Sequence, residues 1–106
     1  MKVLKFLGSS LVDLRKLPVD AKRHIGFELG RVQREDNPSD WKPMQTIGIG
    51  VKEIRIKVSG EWRVIYVAKF ADAIYVLHIF QKKTLKTRKS DIDMARKRYS
   101  EIGIQK

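Results

Sequence analysis

The stretch Ile74–Phe80 reads Ile-Tyr-Val-Leu-His-Ile-Phe, with His78 its one strongly polar side chain. A strand with a wet face would alternate, so this one suits a strand covered on both faces. It follows two segments with a period of two. In the first, Ile54, Ile56 and Val58 point one way and Glu53, Arg55 and Lys57 the other. In the second, Trp62, Val64, Tyr66 and Ala68 alternate with Arg63, Ile65, Val67 and Lys69. Ser59-Gly60-Glu61 is the expected turn and Asp72-Ala73 the next one. A two-residue loop at Ser59-Gly60 would set Ile56 against Arg63. A three-residue loop pairs Val58 with Trp62 and Lys57 with Arg63, which keeps one apolar and one basic face, so the three-residue loop is expected. Gly60 can take the positive φ that such a loop needs.

The remainder of the chain reads as helix, with one strand ahead of it. Lys2–Leu7 is a short strand that Gly8 breaks. Ser9 or Ser10 can cap a short helix to about Lys16, and Pro18 suits the first turn of a second. Ala21, Ile25, Leu29 and Val32 form one helical stripe, and Asp36-Asn37-Pro38 stops it. Residues 38–50, with Trp41, Pro43, Gly48 and Gly50, read as a loop. At the C-terminal end Ser90 can cap a final helix with Asp93 three residues on. Ile92, Ala95, Tyr99 and Ile102 make its stripe, Arg96, Lys97 and Arg98 lie around the rest, and Gly103 ends it. The order is strand, two helices, three antiparallel strands, helix. This is an α+β fold, an antiparallel-dominated sheet with two N-terminal helices and a C-terminal helix, expected as a single domain over residues 1–106.

Composition narrows the function. With 106 residues the chain can bury about 65% of its unfolded surface, enough for a core without staples. There are 23 Lys plus Arg against 12 Asp plus Glu, a net charge of +11, and most of the excess lies in residues 51–106. A hydrophobic fraction of 42% is too high for a disordered basic tail. The absence of cysteine excludes thiolate metal sites and cysteine nucleophiles. Two histidines make a histidine-only metal site improbable. No apolar run approaches a membrane span and no signal-peptide core exists. A polyanion, nucleic acid or an acidic protein, is the expected partner.

The candidate site follows from the register. Arg55, Lys57 and Arg63 share one face of the hairpin. The run Lys82-Lys83-Thr84-Leu85-Lys86-Thr87-Arg88-Lys89 leaves the next strand at the rim of that face. Arginine forks match a phosphate in bidentate fashion, lysines add point charges, and Thr84 and Thr87 can add hydroxyl donors. Such a surface suits RNA phosphates and a phosphorane-like transition state. Glu53, the one acid on the basic face, reads equally as ion-pair partner or general base. His78 reads as a structural or rim residue and His24 as surface. Trp41 and Trp62 could stack on bases, but Trp62 alternates with core residues. Neither a glycine-rich phosphate loop nor a carboxylate metal cluster is present, which argues against a metal-dependent nuclease.

Four blocks carry a resemblance: Glu53-Ile54-Arg55-Ile56, Gly60-Glu61-Trp62-Arg63-Val64-Ile65-Tyr66, Leu77-His78-Ile79-Phe80-Gln81-Lys82-Lys83-Thr84-Leu85-Lys86-Thr87, and Asp91 to Arg98. Their order and spacing resemble the phage-derived HigB-like branch of the RelE/ParE toxin superfamily, over roughly residues 50–100. Arg88 stands where that family usually has proline. The resemblance implies a RelE/ParE-like small domain and the toxin of a type II toxin-antitoxin system. It implies a cytoplasmic, metal-independent endoribonuclease that cuts mRNA within the translating ribosome. No cofactor and no membrane are expected. The implied partners are the ribosome, mRNA and an antitoxin of helix-turn-helix type. It places Arg55, Arg63, Lys82, Lys83 and Lys86 at catalytic or RNA-contacting positions. Lys57, Thr84, Thr87, Arg88 and Lys89 are expected to bind nucleic acid. Tyr66 matches a recurrent aromatic of the strand, though its alternation says core. Two other readings stay open: a ParE-like gyrase inhibitor, and a non-catalytic module that binds RNA or antitoxin.

The charge makes a measurable claim. RNA or ribosome binding should weaken steeply with salt, with a log–log slope of about −0.7 to −0.9 for each phosphate neutralised. Titrations between low and moderate salt check this; a flat response would remove the positive charge as the source of affinity.

Overall fold

The structure, a computed structural model, describes residues 1–105. Eight elements follow one another: β1 (Val3–Phe6), α1 (Ser10–Arg15), α2 (Val19–Gln33), β2 (Trp41–Pro43), β3 (Val51–Lys57), β4 (Glu61–Val67), β5 (Ala73–Gln81) and α3 (Lys89–Gln105). The five strands form one sheet in the order β1-β5-β4-β3-β2. Strand β1 runs parallel to β5, and every other pairing is antiparallel. The α+β architecture expected from the sequence is therefore present. Among the described residues no helix is long and apolar enough to cross a membrane.

Apolar side chains fill both faces of the sheet, as the Ile74–Phe80 run requires. On one face Ile25, Leu29 and Val32 of α2 pack with Ile54, Ile56, Val64, Tyr66, Ile74, Val76 and Ile79. On the other, Ala95 and Ile102 of α3 pack with Val51, Ile65, Val67, Tyr75 and Leu77. The residues of the α2 stripe are all buried. Ile92 and Tyr99 of the α3 stripe pack at the edge of their cluster. Both helices thus use the faces that their periodicity marks.

Four expectations change. The hairpin loop has three residues, but they are Val58-Ser59-Gly60, so Lys57 faces Glu61, Ile56 faces Trp62 and Arg55 faces Arg63. The shift preserves face parity, so the apolar pattern alone could not distinguish the two registers. Backbone conformation decides between them, with φ of 54° at Ser59 and 129° at Gly60. The loop at residues 38–50 contains β2, which is too short to show a period and carries Pro43 as an edge strand can. Helix α3 starts at Lys89, with the Asp91 and Ile92 amides bonded to the Arg88 carbonyl, so Ser90 lies inside the first turn and is not the cap. It also runs through Gly103, whose α-carbon faces open space.

The face carrying Arg55 and Arg63 is also not uniformly basic. It is apolar where α3 covers it, at Val51, Ile65 and Val67, and charged only beyond that cover. A bulge sets the boundary: Ile65 faces His78, Tyr66 faces Val76, and Leu77 is the extra residue on β5.

Leu29 tests the α2 side of the core. It is fully enclosed between helix and sheet. Leu29→Ala should destabilise the protein by about 2–5 kcal/mol in a urea titration, with the slope of the transition unchanged.

Candidate nucleic-acid interface

The site is built on the uncovered end of the sheet. Pairing aligns Lys42 with Glu53, Arg55 with Arg63, and Arg63 with Phe80, so these side chains share one face. Glu53 lies at its floor, wholly buried. Its carboxylate oxygen Oε2 accepts a 3.0 Å hydrogen bond from the Thr87 hydroxyl. Oε1 lies 3.8 Å from both Lys42 Nζ and Arg63 Nε. A buried carboxylate needs such company, because an uncompensated charge there would be severely penalised.

Arg63 is 3% exposed, so it is not the free surface cation that its place in the alternation suggests. Its Nη1 donates to the Trp62 carbonyl at 3.0 Å and its Nη2 to Glu61 Oε1 at 3.4 Å. Arg55, directly opposite, is half-buried; its Nε lies 3.6 Å from Asp40 Oδ1, and its amide donates to the Asp40 carbonyl at 2.9 Å. Adjacent guanidinium groups repel, and Glu53, Glu61 and Asp40 offset that repulsion. Three buried atoms lack a hydrogen-bond partner among the described residues: Glu53 Oε1, Arg55 Nε and Arg63 Nε. They sit on neighbouring residues of β3 and β4, which concentrates unsatisfied polarity at this one place.

The basic loop connects β5 to α3. It is tied at its start by the Lys82 amide, which donates to the Glu61 carbonyl at 2.8 Å, and at its end by Thr87 on Glu53. Between these points Lys83, Thr84, Leu85 and Lys86 are exposed, as are Arg88 and Lys89 beyond; Lys82 is half-buried. The Thr84 hydroxyl is turned inward, donating to the Lys86 carbonyl. Lys57 is exposed at the hairpin end of the face. The sequence-derived cations therefore separate into a buried member, Arg63, a half-buried pair, Arg55 and Lys82, and an exposed fringe.

His78 and Arg98 form a second knot, between β5 and α3. His78 Nε2 is 2.7 Å from Asp91 Oδ1 and its Nδ1 is 3.5 Å from Arg98 Nη1. A guanidinium only donates, so this pattern fits a neutral ring with its proton on Nε2, given to Asp91. Arg98 also donates to the Leu77 carbonyl at 2.9 Å and to Ser9 Oγ at 3.1 Å. It is 6% exposed, whereas the helix pattern placed it among surface cations. The His78 ring stacks on Phe80, with centroids 4.9 Å apart. His78 is thus the structural or rim residue of the sequence reading, and His24 is exposed on α2 as expected. Tyr66 is core; burial first, and then the nearby Glu28 carboxylate, push its hydroxyl pKa up. Trp62 is half-buried against the α2-side cluster, its Nε1 bonded to the Val58 carbonyl at 3.0 Å. Trp41 lies under Lys52 Nζ at 4.5 Å, a cation–π contact on the other face of the sheet.

Lys42, Asp91 and Arg98 were not marked by sequence reasoning. Lys42 lies in the unrecognised strand β2, and Arg98 sits in a run of three cations where periodicity cannot single out the inward one. Gly8 holds a usable signal. It adopts φ of +56°, and a β-carbon there would collide with the Arg98 guanidinium. A cavity of about 490 Å³ near the start of β1 and the end of α2 shares no residue with the arginine site.

A family model described as phage-derived protein Gp49-like matches residues 12–100, a span that includes Glu53, the arginine pair and the basic loop but not Ser9. The chain belongs to the Gp49-like family. This is a RelE-like toxin family, so the coarse part of the resemblance, a phage-derived toxin, holds. No curated protein matches the chain significantly.

In this Gp49-like protein the two arginines should respond differently to truncation. Arg63→Ala removes a neighbour of a buried carboxylate and should destabilise by about 1–3 kcal/mol, the scale for stranding a buried partner. Arg55→Ala removes a half-exposed side chain and should stay within about 0.5 kcal/mol. Thermal melts of both variants check this, and equal melts would show that Arg63 is not needed to balance Glu53.

Proposed function

We propose that this Gp49-like protein is the toxin of a type II toxin-antitoxin pair of HigB-like kind, an endoribonuclease that cuts mRNA on the translating ribosome. The observation that carries this reading is the Arg55–Arg63 pair, opposite each other on the ladder, with a loop of exposed lysines tied at both ends to the same strands, in a member of a RelE-like toxin family.

The chemistry follows from RNA itself. The ribose 2′-oxygen attacks the adjacent phosphorus and the bond from phosphorus to the 5′-oxygen breaks. The products are a 2′,3′-cyclic phosphate and a 5′-hydroxyl. One group must take the 2′-hydroxyl proton and one must give a proton to the leaving oxygen. Arg55 and Arg63 are assigned to the charge that builds on the phosphoryl oxygens, where positioned cationic donors act most strongly. Lys83, with Lys82 or Lys86, is assigned to proton transfer at the 2′-hydroxyl and the leaving oxygen. Lys57, Thr84, Arg88 and Lys89 flank the path of the backbone. With no conventional glutamate and histidine pair assigned, substrate positioning by the ribosome supplies much of the rate. A helix-turn-helix antitoxin would neutralise the toxin in the cytoplasm by covering this surface.

One observation favours a second reading. Arg63 is already occupied by Glu61 and the Trp62 carbonyl, which suits a module that docks RNA without cutting it.

Induction in bacteria separates the readings. Growth should stop, and mapping of RNA 5′ ends should show cleavage that disappears when translation is blocked. Arg55→Ala should reduce cleavage by about 10²- to 10³-fold, the cost of losing one positioned transition-state donor. Intact transcripts with DNA damage signals would point to gyrase instead. Intact transcripts with ribosome binding retained would point to the non-cutting module.

A further inference from the structure

Within the basic loop, the Thr84 hydroxyl donates to the Lys86 carbonyl, a local bond that does not tie the loop to the sheet. Among the described residues, its exposed members Lys83, Leu85 and Lys86 have no side-chain hydrogen bond or ion pair, and Leu85 is 98% exposed. Two bonds connect its ends to the sheet: the Lys82 amide to the Glu61 carbonyl at 2.8 Å, and the Thr87 hydroxyl to Glu53 Oε2 at 3.0 Å. The first uses backbone and is indifferent to side-chain identity. The second is a specific bond spanning 34 residues, from a half-buried hydroxyl to a wholly buried carboxylate.

We infer that Thr87 and Glu53 form a latch that sets the Lys82–Lys86 loop over the arginine pair, with both acting as positioning residues. A hydroxyl donated to Glu53 is not offered to RNA, so Thr87 acts on nucleic acid through the loop and not by touching it. Glu53 has the geometry for a double task. One oxygen holds the loop; the other faces Arg63 and Lys42 at 3.8 Å. The end of the loop and Arg63 are therefore referenced to one carboxylate, and Arg55 lies opposite Arg63 in the β3–β4 ladder. A hydrogen bond to a charged acceptor is strong enough to decide whether a seven-residue connection stays closed. The part of the inference that concerns RNA rests on the function proposed above; the part that concerns the loop does not.

The loop supplies its own reporter, because Lys82, Lys83, Lys86, Arg88 and Lys89 are all trypsin sites. Thr87→Val keeps the shape and removes the hydroxyl, and Thr87→Ser restores it. Limited trypsin digestion followed by mass spectrometry should show cleavage within residues 82–89 rising about tenfold or more in Thr87→Val, as the open population grows. Thr87→Ser should return to the parent rate and the parent melt, and Thr87→Val, which leaves Glu53 Oε2 without its donor, should melt lower than both while digestion stays confined to the loop. Binding of a fluorescein-labelled single-stranded RNA should weaken in Thr87→Val and recover in Thr87→Ser. Unchanged loop cleavage in Thr87→Val overturns the latch and leaves the function reading untouched. Cleavage spread over the whole chain also overturns it, since the bond would then support the fold at large. Loop opening with unchanged RNA affinity overturns the claim that the latch positions the loop for RNA. If the parent itself binds no RNA while the loop still opens, the latch stands and the RNA reading falls.

Discussion

The charged end of this sheet depends on how one carboxylate is kept in the dark. Glu53 is wholly buried on β3, between an arginine, a lysine and a threonine that come from three other segments of the chain. Removing any one neighbour changes the electrostatic balance of the others. The two cations stand at 3.8 Å, too far for a close hydrogen-bonded pair, so Glu53 offsets their charge without saturating them. If the function proposed above holds, a polyanion-binding site gains from that arrangement. Fully paired arginines would have nothing to offer, and unpaired ones would repel each other across the β3–β4 ladder.

Coverage by α3 decides where the site can be. The helix meets the sheet through Ala95 and Ile102, over Ile65 and Val67, and its first turn delivers Asp91 to His78. Beyond that contact the same sheet face changes from apolar to charged within one residue pair, from Ile65 to Arg63. The bulge at Leu77 lies at this border and lets β5 contribute Leu77 to the core while His78 and Phe80 meet the charged end. The knot of His78, Asp91, Arg98 and Ser9 then ties β5, α3 and the start of α1 together, so the border is held from three sides.

Much of the fold was legible because it rests on periodicity. The stripe of Ala21, Ile25, Leu29 and Val32, the alternation in β3 and β4, and the unbroken run in β5 each admit one amphipathic solution. The family blocks pointed to the same elements and to a phage-derived toxin. What escaped was whatever periodicity does not encode. Strand β2 is three residues long, and a parity-preserving shift of the hairpin leaves every face unchanged. Charge also concealed burial. Arg63 and Arg98 read as surface cations because arginines usually are, yet both are buried: Arg98 donates to acceptors from distant segments, and Arg63 to Glu61 and the Trp62 carbonyl beside it, with Glu53 of the neighbouring strand close by. Lys83 and Lys86 were read as part of a loop at the rim of the sheet face, and they are exposed there.

The pairing of β1 with β5 has a consequence for how the protein comes into being. The first strand made has its partner some 70 residues later, Val3 against Ala73 and Phe6 against Val76. A parallel contact this distant closes slowly, since the entropy of the intervening chain is lost before the contact forms. The arginine pair, its carboxylate and the lysine loop likewise span residues 53 to 89. A nascent chain therefore carries none of this surface in working order while most of it is still being synthesised. The basic face comes together only once β5 and the loop that follows it have been made, so its parts stay apart while the segments between them are still being added.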